Sequence, residues 1–151
     1  MKTVMKIVAA AALLAAVGWV AASLYWHFRL VAAIRTLETR MGTPDVSEAH
    51  DVVEAAGCRA LPYLVGALEH HKNQLFLIYA TGEIFKSLED VAARNALPDP
   101  ALLEQARDWK IVPEDNPTDM KRKCDSIQAY WKINEHLHHQ WWRVWSSRCA
   151  P

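Results

Sequence analysis

At 151 residues, with 17 Lys/Arg balanced by 17 Asp/Glu, the chain suits one domain plus a targeting segment. It carries no net charge that would favour nucleic acid or an acidic substrate. Sparse Gly and Pro, and no long alternation of apolar and polar residues, point to an all-α protein.

The amino-terminal segment comes first. Lys2 and Lys6 precede an uncharged apolar run from Ile7 to Trp26. Roughly 20 apolar residues in a helix cross a hydrocarbon core of about 30 Å. Tyr25 and Trp26 stand where an interfacial aromatic belt would lie, which favours an anchor. Val20-Ala21-Ala22 before Ser23 is a small-residue cut site, which favours a cleaved signal peptide. Both readings stand, with residues 1–26 as signal anchor or signal peptide and 27–151 as the body. Arg29, Arg35 and Arg40 beyond the run outnumber Lys2 and Lys6 before it. A short basic tail ahead of an apolar run is nevertheless the usual export arrangement, so the body is expected outside the cytoplasm. In a bacterium that means the inner membrane facing the periplasm, or secretion after a cut near Ala22. If the segment stays, residues 24–41 extend it as a stalk. If it goes, they begin the soluble domain and pack on it.

Leu30, Ile34, Leu37 and Met41 recur at helical spacing and carry the first helix on to Gly42-Thr43-Pro44-Asp45. Asp45 or Ser47 can cap the next, whose apolar face is Val46, Ala49, Val52, Val53 and Ala56, up to Gly57. A third helix is expected over about 59–71, with Pro62 in its first turn and Leu61, Leu64, Val65 and Leu68 inward. A fourth covers about 73–93 with Leu75, Ile78, Tyr79, Ile84, Phe85 and Leu88 inward, and Glu83 half-buried. Pro98-Asp99-Pro100 starts a short fifth to about Trp109, and 111–118 reads as a loop. Thr118 or Asp119 then caps a last helix to about Ser147.

Gly57-Cys58-Arg59-Ala60-Leu61-Pro62-Tyr63-Leu64-Val65-Gly66-Ala67-Leu68 resembles the first helix of a HEAT-type repeat, which commonly reads Ala-Leu-Pro-x-Leu-hydrophobic-x-Ala-Leu. Asn73 through Ile84, ending Thr81-Gly82-Glu83-Ile84, is similar to the second helix, which often ends Leu-Gly-x-Ile. The likeness covers one helix pair, about residues 57–88, with no second copy. His70-His71-Lys72-Asn73 stands where the family often has an Asp in the turn. The resemblance implies a small HEAT-like stack of about five to six helices that serves as a binding scaffold, and it carries over no catalytic residue.

The last helix has two stripes. Ile127, Tyr130, Ile133, Leu137, Trp141 and Val144 make an ordinary inward one. Trp131, His138, Trp142 and Trp145 make a second beside it, with Arg143 alongside. A central helix touching two neighbours explains this. So does a docking surface, because Trp-rich patches serve protein interfaces and membrane boundaries. His136, His138 and His139 with Glu135 offer the start of a zinc or copper site, short of the four ligands a closed site uses. A solvated polar face is the plainer account. Of Cys58, Cys124 and Cys149, a continuous last helix holds the second and third over about 30 Å apart, too far for a disulfide. Alternating helix directions bring the end of the last helix toward the start of the third, which makes Cys58–Cys149 the better pair; three free, buried thiols are the alternative.

No Gly-x-Ser-x-Gly elbow, phosphate-cradling loop or dinucleotide fingerprint occurs, and no cofactor is implied. The expected function is a non-catalytic helical adaptor, membrane-tethered or exported, that binds another protein. The alternative is a small metal- or haem-binding accessory protein using the histidine cluster.

Overall fold

The computed structural model describes residues 2–70, 73–93 and 101–138, apart from the side chains of residues 2, 3, 58, 91 and 136–138. Among these residues every regular element is helical. The helices are α1 (Lys2–Arg40), α2 (Ser47–Ala56), α3 (Leu61–Leu68), α4 (Gln74–Ala93), α5 (Ala101–Arg107) and α6 (Pro117–His138), with 3-10 turns at Pro44–Val46 and Gly57–Ala60.

Helix α1 has two halves that differ in what surrounds them. Its most apolar stretch, near the amino terminus, is wholly unburied and is long and apolar enough to be a membrane span or a signal sequence. From Trp26 onward one stripe turns into the protein: Leu30, Ala33, Ile34 and Leu37 are core, with Trp26 and Met41 packed against it. Residues 24–41 are therefore no free stalk. The spacing that marked Leu30, Ile34 and Leu37 as a stripe is the spacing that buries them against α2 and α3. Gly42 stops the helix at φ 96°, where a side chain would be strained and would also meet Leu75.

Helix α2 buries Ala49, Val52, Val53 and Ala56, as its periodicity predicts. It has no side-chain cap; Asp45 lies in the preceding turn and pairs with Arg40 at 3.7 Å instead. Gly57, at φ 53°, closes the end of α2. Helix α3 buries Leu61, Leu64, Val65 and Leu68 and ends sooner than the sequence suggests, at Leu68. Asn73 caps α4, its Oδ1 accepting from the Leu75 and Phe76 amides at 3.0 and 3.4 Å.

The inward face of α4 differs from the expected one in its first turns. Phe76, Leu77, Ala80 and Thr81 are buried, while Leu75 is 52% exposed and Ile78 and Tyr79 only partly covered. The buried residues Phe76, Leu77, Ala80, Thr81 and Ile84 share one face at helical spacing, and Leu75 lies on the opposite side of the helix. Ile84, Phe85 and Leu88 are buried as predicted. The helix also runs through Thr81-Gly82-Glu83-Ile84 without a break.

Helix α6 is capped by Asn116 rather than Thr118 or Asp119. Its Oδ1 accepts from both of their amides, at 2.9 and 3.0 Å, and Pro117 takes the first helical position. The inward residues are Cys124, Ile127 and Tyr130, with Met120 and Trp131 packed beside them. Ile133 is 73% exposed, contrary to the expected stripe, because two residues past Trp131 is about 200° around the helix. Leu137, Trp141, Val144 and the helix end near Ser147 lie outside the described side chains. One core joins α1, α2, α3, α4, Ile111 and α6, and a smaller cluster of Phe85, Leu88, Ala106 and Tyr130 attaches α5.

Candidate functional site

Three surface arrangements can be built from these elements. The first is a groove of about 540 Å³ between α3 and α6. Pro62, Val65 and Gly66 form one wall, Gln128, Ala129 and Trp131 the other, and Glu69, Asp125 and Lys132 mark its rim. At Gly66 the groove is open: a methyl group there would meet nothing within 4 Å. Trp131 is half-buried, its ring against the core on one side and lining the groove on the other.

The second lies where α1 leaves the core. Arg59, in the turn before α3, places its guanidinium 4.2 Å from the centre of the Trp26 ring and donates to the Ala56 carbonyl at 3.3 Å. Burial pulls its pKa down from the usual arginine value. Tyr63 and His27 share a hydrogen bond of 2.8 Å between the phenol oxygen and Nδ1. Burial pushes the Tyr63 phenol up. Arg29 donates to the Tyr25 hydroxyl at 2.9 Å and approaches Glu48 at 3.7 Å.

The third is a group of cation ligands on α2. One ligand atom each from His50, Asp51 and Glu54 lies within 4.8 Å of the other two. The His50 ring rests on Tyr79, with centroids 5.0 Å apart. The Tyr79 hydroxyl is buried without a hydrogen-bond partner, and burial, then the carboxylates of Glu83 and Glu54, raises its pKa well above the ordinary phenol value. One imidazole and two carboxylates suit a divalent cation. Glu54 also pairs with Lys86 at 3.8 Å, and the whole group faces solvent, so the same side chains are equally served as a solvated surface.

Asp115 and Lys123, 2.6 Å apart, form a structural staple. The same Asp115 oxygen accepts from the Val112 amide at 2.8 Å, and Lys123 reaches the Lys110 carbonyl at 2.9 Å. Together they hold the loop before α6 onto the helix. The hydrogen bond from Lys123, followed by the one from Val112, holds the Asp115 carboxyl below its ordinary value. Cys124 is a free, buried thiol whose pKa is raised first by burial and then by Asp125. It is structural, packed in the core.

No protein-family model, no curated protein and no solved structure matches this chain. What the structure supports is a small all-helical protein, with six α-helices among the described residues and a candidate membrane or signal helix at its start.

Of the residues singled out by sequence, Trp131 is placed in the groove wall. The side chains of His136 and His138, and residues His139, Trp142, Arg143 and Trp145, lie outside the described residues, as do the Cys58 side chain and Cys149. Gly66, Gln128 and Ala129 were not anticipated, and neither were Arg59 and Tyr63 as neighbours of Trp26 and His27. Each joins residues more than thirty positions apart, and helical periodicity reports nothing across such distances.

Proposed function

We propose that this protein is a non-catalytic helical adaptor, held to a membrane by the first half of α1, that grips a segment of a partner protein in the α3–α6 groove. The observation that carries this reading is a groove walled by Trp131 on a domain whose first core helix is itself the continuation of an apolar span. A concave, largely apolar surface with an aromatic wall and a charged rim is the usual anatomy of a protein-binding site. The α3–α4 pair is read here as one HEAT-like unit, which agrees with a scaffold. The short basic tail ahead of the apolar run supports a body outside the cytoplasm.

The test uses the full chain in its native membranes. A photo-crosslinking side chain at Gln128, inside the groove, is expected to form a discrete adduct absent when the crosslinker sits at exposed Lys121. Gly66→Phe, which fills the groove from a position with free space, is expected to abolish the adduct without unfolding the protein. An adduct pattern identical at both positions, or unchanged by Gly66→Phe, overturns the groove as the binding site.

A further inference from the structure

The apolar surface of α1 ends at different heights on its two sides. On the side that meets the body, Ala22 and Ser23 are partly covered and Trp26 packs on the core. On the far side, Val17, Val20, Leu24, Phe28 and Val31 recur at spacings of three and four and form one exposed stripe. The stripe runs past Trp26 into the half of the helix that carries the core. Phe28 is 66% exposed and Val31 43%, while Leu30 between them is 1% exposed. Arg35, next along the stripe, is exposed and ends it. The stripe is continuous with the candidate span, so the medium that solvates the span also reaches Phe28 and Val31.

Length and tilt account for the slant. Ile7 to Val31 is about 36 Å at 1.5 Å per residue, against about 30 Å of hydrocarbon. A crossing angle of about 35° fits one to the other, within the range that membrane helices adopt. Trp26 and Val31 lie about 140° apart around the axis and about 7.5 Å apart along it. On a helix about 10 Å wide, that tilt lowers one side relative to the other by about 6 Å. Trp26 and Val31 then reach the same depth, at the edge of the hydrocarbon. Arg35 stands beyond that edge, where its long stem can lie on apolar surface and its guanidinium in the headgroups. A second copy of the chain fits less well. Leu24, Phe28 and Val31 are too few to supply the roughly 800 Å² per partner of a stable protein interface, whereas acyl chains need no complementary surface.

We propose that Leu24, Phe28 and Val31 form a docking surface for the acyl chains of the bilayer, so that α1 crosses at a tilt and carries the folded body on its upper side. This rests on the reading of α1 as an uncleaved span. The body is then held in one attitude to the membrane, with part of its own first core helix sunk into the lipid.

The test uses the full chain in phosphatidylcholine vesicles, with an encoded fluorescent side chain at Val17, Phe28, Val31 or Thr39 in turn. Thr39 is exposed on the same side, one turn beyond Arg35. Quenching by phosphatidylcholine with a nitroxide on its acyl chain is compared with quenching by iodide present on both sides of the membrane. The lipid is expected to quench Val17, Phe28 and Val31 several-fold more than iodide does, and the order is expected to reverse at Thr39. Iodide quenching at Phe28 and Val31 with lipid quenching at Val17 overturns the docking surface and leaves the anchor standing. Iodide quenching at all four positions overturns the anchor and the docking surface with it. Shielding of Phe28 and Val31 from both quenchers puts protein on the stripe and overturns lipid as its occupant. Hydroxyl-radical labelling of the unaltered chain in the same vesicles requires no variant to fold. Phe28 is expected to be modified several-fold less than in the urea-unfolded chain, and equal modification overturns the proposal.

Discussion

Thr81 has two jobs in a buried position. Its hydroxyl donates to the Leu77 carbonyl at 2.8 Å and accepts from the Ile111 amide at 3.0 Å, which ties the loop before α6 to the middle of α4. Thr81→Val keeps the shape and strands that amide, so unfolding in denaturant is expected to show a loss of about 1–3 kcal/mol. Thr81→Ser, which keeps the oxygen, loses less. Asp115 acts on the same loop through charge. Its carboxyl is held below the ordinary value of 3.8 by Lys123 and the Val112 amide. A depressed folded pKa means the stabilisation is present above that ordinary value and lost as pH falls through the folded one. The melting temperature is expected to drop on acidification below about pH 4, and Asp115→Asn is expected to lower it at neutral pH and flatten that acid dependence. Neither role could be read locally. Thr81 looks like part of a helix end, and Asp115 like one more acid in a Pro-bounded loop.

The elements themselves were largely legible. Among the described residues, apolar spacing placed five of the six helices and the Pro98-Asp99-Pro100 break the short fifth, and Gly42, Gly57 and Pro117 punctuate them where the sequence suggests a break. Rotation about the helix axis was harder to read. Leu75 and Ile133 are large and apolar, yet they face solvent, because the Phe76–Ala80–Ile84 face of α4 and the Cys124–Ile127–Trp131 face of α6 are the ones packed into the core. Counting apolar residues does not distinguish a stripe from its neighbour when both are well populated. Phe76→Ala is expected to cost about 3–5 kcal/mol in equilibrium unfolding. Leu75→Ala is expected to cost under about 1 kcal/mol, and Ile133→Ser to stay within about 0.5 kcal/mol. Equal losses at Phe76 and Leu75 would contradict the observed rotation of α4.

At the scale of the whole molecule, α1 supplies a buried stripe to the common core and packs on α2 and α3. A chain beginning at Ser23 retains Trp26 and the Leu30–Leu37 stripe, and circular dichroism is expected to show it folded with a cooperative melt. A chain beginning at Gly42 loses Leu30, Ala33, Ile34 and Leu37 from the core and is expected to show no cooperative melt. A cooperative melt in the shorter chain would mean that α1 only decorates a core complete without it. The sequence by itself determined the helical class, the apolar run and most helix limits, because caps, breakers and periodicity act within a few residues. Only the tertiary structure decided that the Leu30–Leu37 stripe within residues 24–41 is core rather than free stalk, that Pro62 and Gly66 face Gln128 and Trp131 across a groove, and that Arg59 lies on Trp26. Those are packing choices between distant segments, set by how whole helix faces fit together, and no local spacing records them.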